Sequence, residues 1–270
     1  MRQVSYSVCV THFNDVHSVK ASLESLLSVI DERFEVIVVD NQSNDGSEEV
    51  LEEYSRQGRI NLIQEKCSRG VGRNIAVQHA RGEYVISGMD MDDTFRPTLG
   101  RFLDFYHATC EGCLLRTEIA TMVAPRGLIL DLGGWRDLQN NENWELSKRA
   151  AGVGKFRWII FPLLHEIDKH PERRKNALSR FRFKYYMMRD DYRAGHSPFR
   201  SGAKASTRQR LLQVAVLATL PFYTSYGDGP RGFTIVDKRL FVDSSRWWTE
   251  LRGMERMNRM YRSRLGVELA

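Results

Sequence analysis

Two hydrophobic periods alternate through the first hundred residues. Val4 to Thr11 is a short apolar run that predicts a strand, and Asn14 or Asp15 stands where it can cap a following helix. That helix places Val19, Leu23, Leu26, Leu27 and Ile30 at steps of three and four residues, on one face. Phe34 to Asp40 (FEVIVVD) is nearly continuous in apolar residues, as expected of a strand covered on both faces and central in its sheet. Ser47 then caps a helix over SEEVLEEYSRQ, with acids in its first turn and Gly58 after its last. A third strand over Ile60 to Gln64, a helix over Val71 to Ala80 closed by Gly82, and a fourth strand over Glu83 to Ser87 complete the series. Strands alternating with helices predict βαβ units and a parallel sheet.

Beyond Pro97 the alternation weakens. A helix over Pro97 to His107 and a strand-like Leu114 to Val123 precede a Gly- and Asn-rich stretch from Gly133 to Leu146. From Pro171 the pattern is mainly helical, and no internal repeat is visible. With 270 residues, 42% hydrophobic and 27% charged, the chain is long enough for one large domain or two small ones, and too apolar to be disordered. The 20 Gly and 7 Pro have no period, which excludes collagen-like sequence.

The net charge of +6 is modest, but its placement is uneven. Twelve basic residues between Arg173 and Arg210 face only Asp190 and Asp191. Four cysteines are too few for a disulfide scaffold, and Met1 to Val10 lacks the apolar core of a signal peptide, so a reducing, cytoplasmic setting is expected. Cys110 and Cys113 lack a second ligand pair at zinc-site spacing and read as ordinary thiols. The most apolar segment, Leu211 to Tyr223, contains Gln213, Thr219 and Pro221 and is too short to span a bilayer. It should be buried against core, partner or lipid, and an oligomer is compatible with it.

In an open parallel sheet, ligands bind beyond the carboxyl ends of the strands. Three predicted strands end in polar loops there: Thr11 with His12 and Asn14, Asp40, and Asp90 with Asp92 and Asp93. An acid at a strand end can accept hydrogen bonds from a nucleobase or ribose, and two carboxylates one residue apart can hold a cation that neutralises a diphosphate. Each acid alone reads equally well as a helix cap or a loop solubiliser.

Four blocks in order, SVCVTHFN, FEVIVVDNQSNDGS, SRGVGRNIAVQHARGEYVISGMDMDD and GGW followed by NENWEL, make the chain resemble the family 2 glycosyltransferases of the GT-A type, over about Val4 to Gly152. The resemblance implies an α/β fold with a Rossmann-like, mostly parallel sheet flanked by helices, to which the residue pattern adds a helical, basic C-terminal extension. Together they divide the chain into a catalytic domain over 1–155, with a nucleotide-binding part over 1–95 and an acceptor-side part over 96–155, and a mainly helical region over 156–270. The resemblance further implies metal-dependent, inverting transfer of a sugar from a nucleotide-diphospho-sugar, UDP- or GDP-linked, to a hydroxyl of a surface glycan, glycolipid or glycoprotein. Thr11 would lie near the nucleotide, Asp40 on the base, and Arg73 in the nucleotide pocket with Arg69 as a second cation for a phosphate. Asp92 would be the direct Mg²⁺ or Mn²⁺ ligand, Asp90 would stand nearer the ribose or a metal-bound water, and Asp93 would support either.

Inversion needs a base for the acceptor hydroxyl proton. The family's Glu-Asp pair reads Glu142-Asn143 here, and a neutral amide cannot be that base. Glu142 is the first candidate and Glu145 the second, with Trp135 and Trp144 flanking them as acceptor-side aromatics. The departure also keeps open a catalytically impaired scaffold that binds nucleotide or a membrane partner. The basic, aromatic C-terminal region reads either as a solvated helical face or as a surface for an anionic membrane, at the inner face of the cell membrane, where a lipid-linked acceptor would be met. No nucleic-acid motif accompanies the charge.

Overall fold

A computed structural model describes residues 4–117, 121–166, 177–195, 207–226 and 238–247. The expected series appears as β1 (Tyr6–His12), α1 (Val16–Leu27), β2 (Phe34–Asp40), α2 (Ser47–Arg56), β3 (Asn61–Gln64), α3 (Arg69–His79) and β4 (Tyr84–Ser87). There follow β5 (Asp93–Phe95), α4 (Leu99–Thr109), β6 (Leu114–Thr117), β7 (Met122–Pro125), α5 (Arg126–Asp131), α6 (Glu142–Gly152), β8 (Phe156–Ile159) and β9 (Leu164–Glu166). The main sheet has seven strands in the order β3-β2-β1-β4-β7-β6-β8, and β5 pairs with β9 in a second, two-stranded sheet. Every pairing in the main sheet is parallel except those of β7 with β4 and β6.

β2 is covered on both faces, as its apolar run predicts, with every residue from Glu35 onward buried, but it lies next to the edge strand β3 and not at the centre of the sheet. Register pairs Tyr6 with Phe34 and His12 with Asp40, so the polar ends of β1 and β2 stand side by side. Helix α1 is not capped by Asn14 or Asp15. Asp45, in the loop after β2, accepts from the Val16 N–H at 3.0 Å through one oxygen and from the Ser47 N–H and hydroxyl through the other. One carboxylate thus satisfies the first turns of two helices and ties together the loops that follow β1 and β2.

The single strand expected over Leu114 to Val123 is two antiparallel strands, β6 and β7, with Leu115 opposite Val123. β8 pairs in parallel with β6, so the main sheet runs on to Ile159, past the boundary expected at residue 155. The C-terminal helices are α7 (Ala177–Arg193) and α8 (Thr207–Thr219), tied by a 2.5 Å bond between the Tyr185 hydroxyl and Thr219 Oγ1. Only part of the apolar segment over 211–223 is buried: Leu212 and Val216 face inward, while Leu211, Val214 and Phe222 are exposed. Arg173, Arg174, Lys175, Arg200 and Lys204 of the basic run lie outside the described residues.

Candidate active site

A cleft of about 170 Å³ opens at the carboxyl ends of β1, β2 and β4. Thr11 comes from the end of β1, Asn41 follows β2, and Asp90 and Asp92 follow β4. Asp90 forms an isolated parallel bridge with Thr11, which holds the acidic loop against β1. The N-terminus of α3 opens onto the same space. Ser68 caps that helix by accepting from the Val71 N–H at 3.3 Å, and Arg69, the first helical residue, lines the cleft. A helix N-terminus with a cation beside it suits an anion.

Charges converge on Asp90. Arg69 Nη2 lies 3.6 Å from one carboxylate oxygen and Arg73 Nη2 lies 3.7 Å from the other. Burial pulls the Arg69 guanidinium down, but Asp90, Glu142 and Asp92 together outweigh it and hold its pKa above the ordinary value. Arg73 is 1% exposed; its Nε donates to Glu142 Oε1 at 3.1 Å and its Nη1 to the Ser87 hydroxyl at 3.4 Å. Asp90, Arg73 and Glu142 thereby form one chain of opposite charges from the cleft into the interior. Arg116, at the carboxyl end of β6, joins it from behind: burial lowers its pKa to about 10, against the field of Glu142.

The predicted site residues divide into two groups. Thr11, Arg69, Asp90 and Asp92 line the cleft. Asp40 does not, because it is fully buried and both its oxygens accept from Ser43, one from the backbone N–H at 3.0 Å and the other from the hydroxyl at 2.5 Å. Arg73 is likewise removed from the cleft wall and acts behind it. Glu145 spends both oxygens on Arg149, at 2.8 and 2.6 Å, and Arg149 also donates to the carbonyls of Leu132 and Gly134; this carboxylate fastens α6 to the preceding loop. Glu142 bonds Arg73 through Oε1, leaving Oε2 outside that bond. Trp135 is packed inside, at 2% exposure, with its indole N–H donating to Asn143 Oδ1 at 2.8 Å, and Trp144 is half-buried with Lys148 Nζ 5.3 Å from its ring centre.

Asn41 and Gln139 are among the further residues that reach the cleft. Asn41 accepts from the Cys67 N–H through Oδ1 at 2.8 Å, which turns its amide NH₂ away from that bond, and Gln139 accepts from the Arg69 N–H at 3.3 Å. Asn41 was legible as the next polar residue after Asp40, whereas Gln139 carried no signal of its own. His12 also lines the cleft; burial lowers its pKa, opposed by Asp40, Asp15, Asp45 and Asp90, and favours the neutral imidazole.

Among the described residues no three His, Cys, Asp or Glu side chains gather as a metal cage. A Mg²⁺-like cation bound together with a diphosphate needs only one or two carboxylates, since phosphate and water oxygens complete its shell. Asp90 and Asp92, one residue apart on the cleft wall, meet that requirement.

Residues 7–126 match the model of glycosyl transferase family 2. Relatives include EpsH of Bacillus subtilis (strain 168), 33% identical over 99 residues that make up 36% of this chain and 28% of EpsH. The uncharacterized glycosyltransferase MJ1057 of Methanocaldococcus jannaschii is 36% identical over 96 residues, 34% of this chain and 33% of that protein. The matched part therefore spans only a minor share of either relative's length. Among solved structures, S. aureus TarS 1–349 in complex with UDP-GlcNAc superposes with a TM-score of 0.56 at 17% identity, covering 82% of this chain and 73% of that one. The mannosyltransferase PcManGT from Pyrobaculum calidifontis, in complex with GDP-Man and Mn²⁺, gives 0.56 at 18% identity over 80% of this chain and 69% of that one. The fold is thus GT-A, and residues 7–126, a little under half of the chain, are similar to glycosyl transferase family 2.

Proposed function

We propose that the chain transfers a sugar from a nucleoside-diphosphate sugar, UDP- or GDP-linked, to a hydroxyl of a glycan or lipid-linked acceptor, with inversion and with Mg²⁺ or Mn²⁺. The observation that carries this reading is the meeting of Asp90, Asp92, Arg69 and the N-terminus of α3 in one cleft with Thr11 and Asn41. The diphosphate would lie toward Arg69 and the acids, and the nucleoside toward Asn41. Asn41, in place of the buried Asp40, is the residue we assign to the base. Bound between Asp90, Asp92 and the diphosphate, the cation would supply charge neutralisation for the leaving nucleoside diphosphate.

Arg69 adds a fixed positive charge where negative charge develops as the glycosidic bond breaks. Arg73 holds Asp90 from behind and orients Glu142. Glu142 is our candidate for the group that accepts the acceptor hydroxyl proton, through the oxygen that Arg73 leaves open. The solved relatives named with UDP-GlcNAc and with GDP-Man and Mn²⁺ support the same donor class. Exposed Phe181, Phe183, Leu211, Val214 and Phe222 on the C-terminal helices support contact with the inner face of a membrane, where a lipid-linked acceptor is presented. No helix among the described residues is long and apolar enough to cross it.

The test is calorimetric titration with UDP and GDP, each with and without Mn²⁺, on the parent chain and on Asp92→Ala. Metal-dependent binding of one nucleotide, lost in the variant, is expected; no binding of either by folded protein overturns the reading. A second reading, a scaffold that binds nucleotide without turnover, is favoured by Asn143, whose amide is held by Trp135 where the family carries an acid. Release of nucleoside diphosphate from the bound donor in the presence of an acceptor extract separates the two.

A further inference from the structure

A second cavity, of 440 Å³, adjoins the cleft and shares Asn41, Cys67, Ser68 and Gln139 with it, but excludes Asp90 and Asp92. Its far wall is α7. Arg189 and Arg193, one helical turn apart, face it, with Tyr186 on the preceding turn and Lys66 and Asp137 from the loops opposite. Asp190, fully buried beneath, draws both arginines together. Its Oδ1 accepts from Arg189 at 2.7 Å and from Arg193 at 3.5 Å, and its Oδ2 accepts from the backbone N–H groups of Gln139 and Asn140, both at 3.0 Å.

The oxygens of Asp190 are therefore consumed inside the wall. Three cations, Lys66, Arg189 and Arg193, stand against two acids, Asp137 and Asp190, which leaves one positive charge in excess. The Tyr223 ring lies 4.6 Å from the Arg189 guanidinium carbon and 5.5 Å from that of Arg193, which fixes both planes. Two guanidiniums held in place beside an exposed ammonium match the oxygens of a phosphate group, whereas the acids of the sugar-transfer end lie elsewhere. Earlier turns of the same helix expose Phe181 and Phe183, on different sides of it because they are two residues apart.

We infer that this cavity is a second anion site, distinct from the diphosphate position, which takes a phosphate group carried either by a lipid or by a soluble compound. The exposed aromatic rings on the earlier turns of α7 favour the lipid source.

The experiment is titration of the full chain with inorganic phosphate, and separately co-sedimentation with vesicles of phosphatidylcholine and phosphatidic acid in equal parts. Both are repeated on Lys66→Glu, an exposed loop position, and on Arg69→Ala, which disables the donor-cleft cation. Phosphate binding that survives Arg69→Ala and weakens roughly tenfold in Lys66→Glu is expected, a tenfold change being about 1.4 kcal/mol. Vesicle binding that weakens in parallel identifies the lipid source, and phosphate binding without vesicle binding identifies a soluble one. Absence of phosphate binding, its loss in Arg69→Ala, or indifference to Lys66→Glu each overturns the site. UDP and GDP titrations on the same preparations report on the donor cleft independently, so failure of the donor reading is distinguishable from failure of this one.

Discussion

Arg73 and Glu142, 69 residues apart, form a 3.1 Å ion pair at 1% and 2% exposure, and the same guanidinium reaches Asp90 at 3.7 Å. This pair joins α3 to α6 and sets the back of the acidic loop at once. Removing the cation would strand Glu142 in a dry interior, whereas Asp90, on the cleft wall, keeps Arg69. Arg73→Ala is expected to cost about 3–5 kcal/mol of folding stability. Urea unfolding checks it, and a loss within experimental error would mean that solvent reaches the pair.

Glu142→Gln keeps an oxygen that can accept from Arg73, so the fold should tolerate it. If Glu142 takes the acceptor proton, turnover should fall by roughly 10²- to 10⁴-fold while nucleotide affinity is unchanged. Titration and product assay on the same preparation separate these outcomes.

Asn143→Asp preserves the acceptor for the Trp135 indole at a buried position. It should destabilise the fold by about 1–3 kcal/mol, because the carboxylate is buried where an amide was. Turnover should not rise, since the proton is assigned to Glu142. A clear gain in turnover would move the base to position 143.

Gly70 sits in the first turn of α3, where a Cβ would fall 2.0 Å from the Arg136 carbonyl oxygen. Its N–H also donates to the Leu138 carbonyl at 3.0 Å, so helix and loop touch backbone to backbone. Gly70→Ala must push the loop outward, and Gln139 with it. A loss of about 1–3 kcal/mol is expected together with weaker nucleotide binding. Stability lost with nucleotide affinity intact would show that Gln139 is not needed in the cleft.

Asp191 accepts from the Asn141 amide at 2.6 Å, and burial, with the neighbouring Asp190, raises its pKa to about 6. The native state therefore holds this proton more tightly than the unfolded chain does. Its contribution to stability is full below the unfolded carboxylate range and is lost as pH rises toward 6 and above. Asp191→Asn should remove that slope, gaining about 1 kcal/mol relative to the parent between pH 4 and pH 7 once solvent screening is allowed for. Urea midpoints at the two pH values test it, and an equal difference at both would show that Asp191 titrates normally.

Elements set by local periodicity were readable from the chain alone: β2 occupies the residues its apolar run predicts, and the helices after β1, β2 and β3 lie where their spacing puts them. Strand-end chemistry was legible for the same reason, because the residue that ends a parallel strand is delivered to the ligand edge whatever the rest of the chain does. Thr11 at the end of β1, and Asp90 and Asp92 in the loop after β4, are of this kind, while Arg69 reaches the same edge at the start of α3. Which way a side chain turns at that edge is not a local property. Asp40 folds back onto Ser43 and leaves Asn41 to the cleft; Glu145 is consumed by Arg149, while Glu142 keeps one oxygen clear of Arg73. Asp45 rather than Asn14 or Asp15 caps α1 because the cap crosses between two loops. The split of 114–123 into β6 and β7 and the entry of β8 into the main sheet depend on partners distant in sequence. Sequence determined the elements and the acids they deliver; burial and long-range charge pairing, fixed only when the elements pack, decided which of those groups remain available for chemistry.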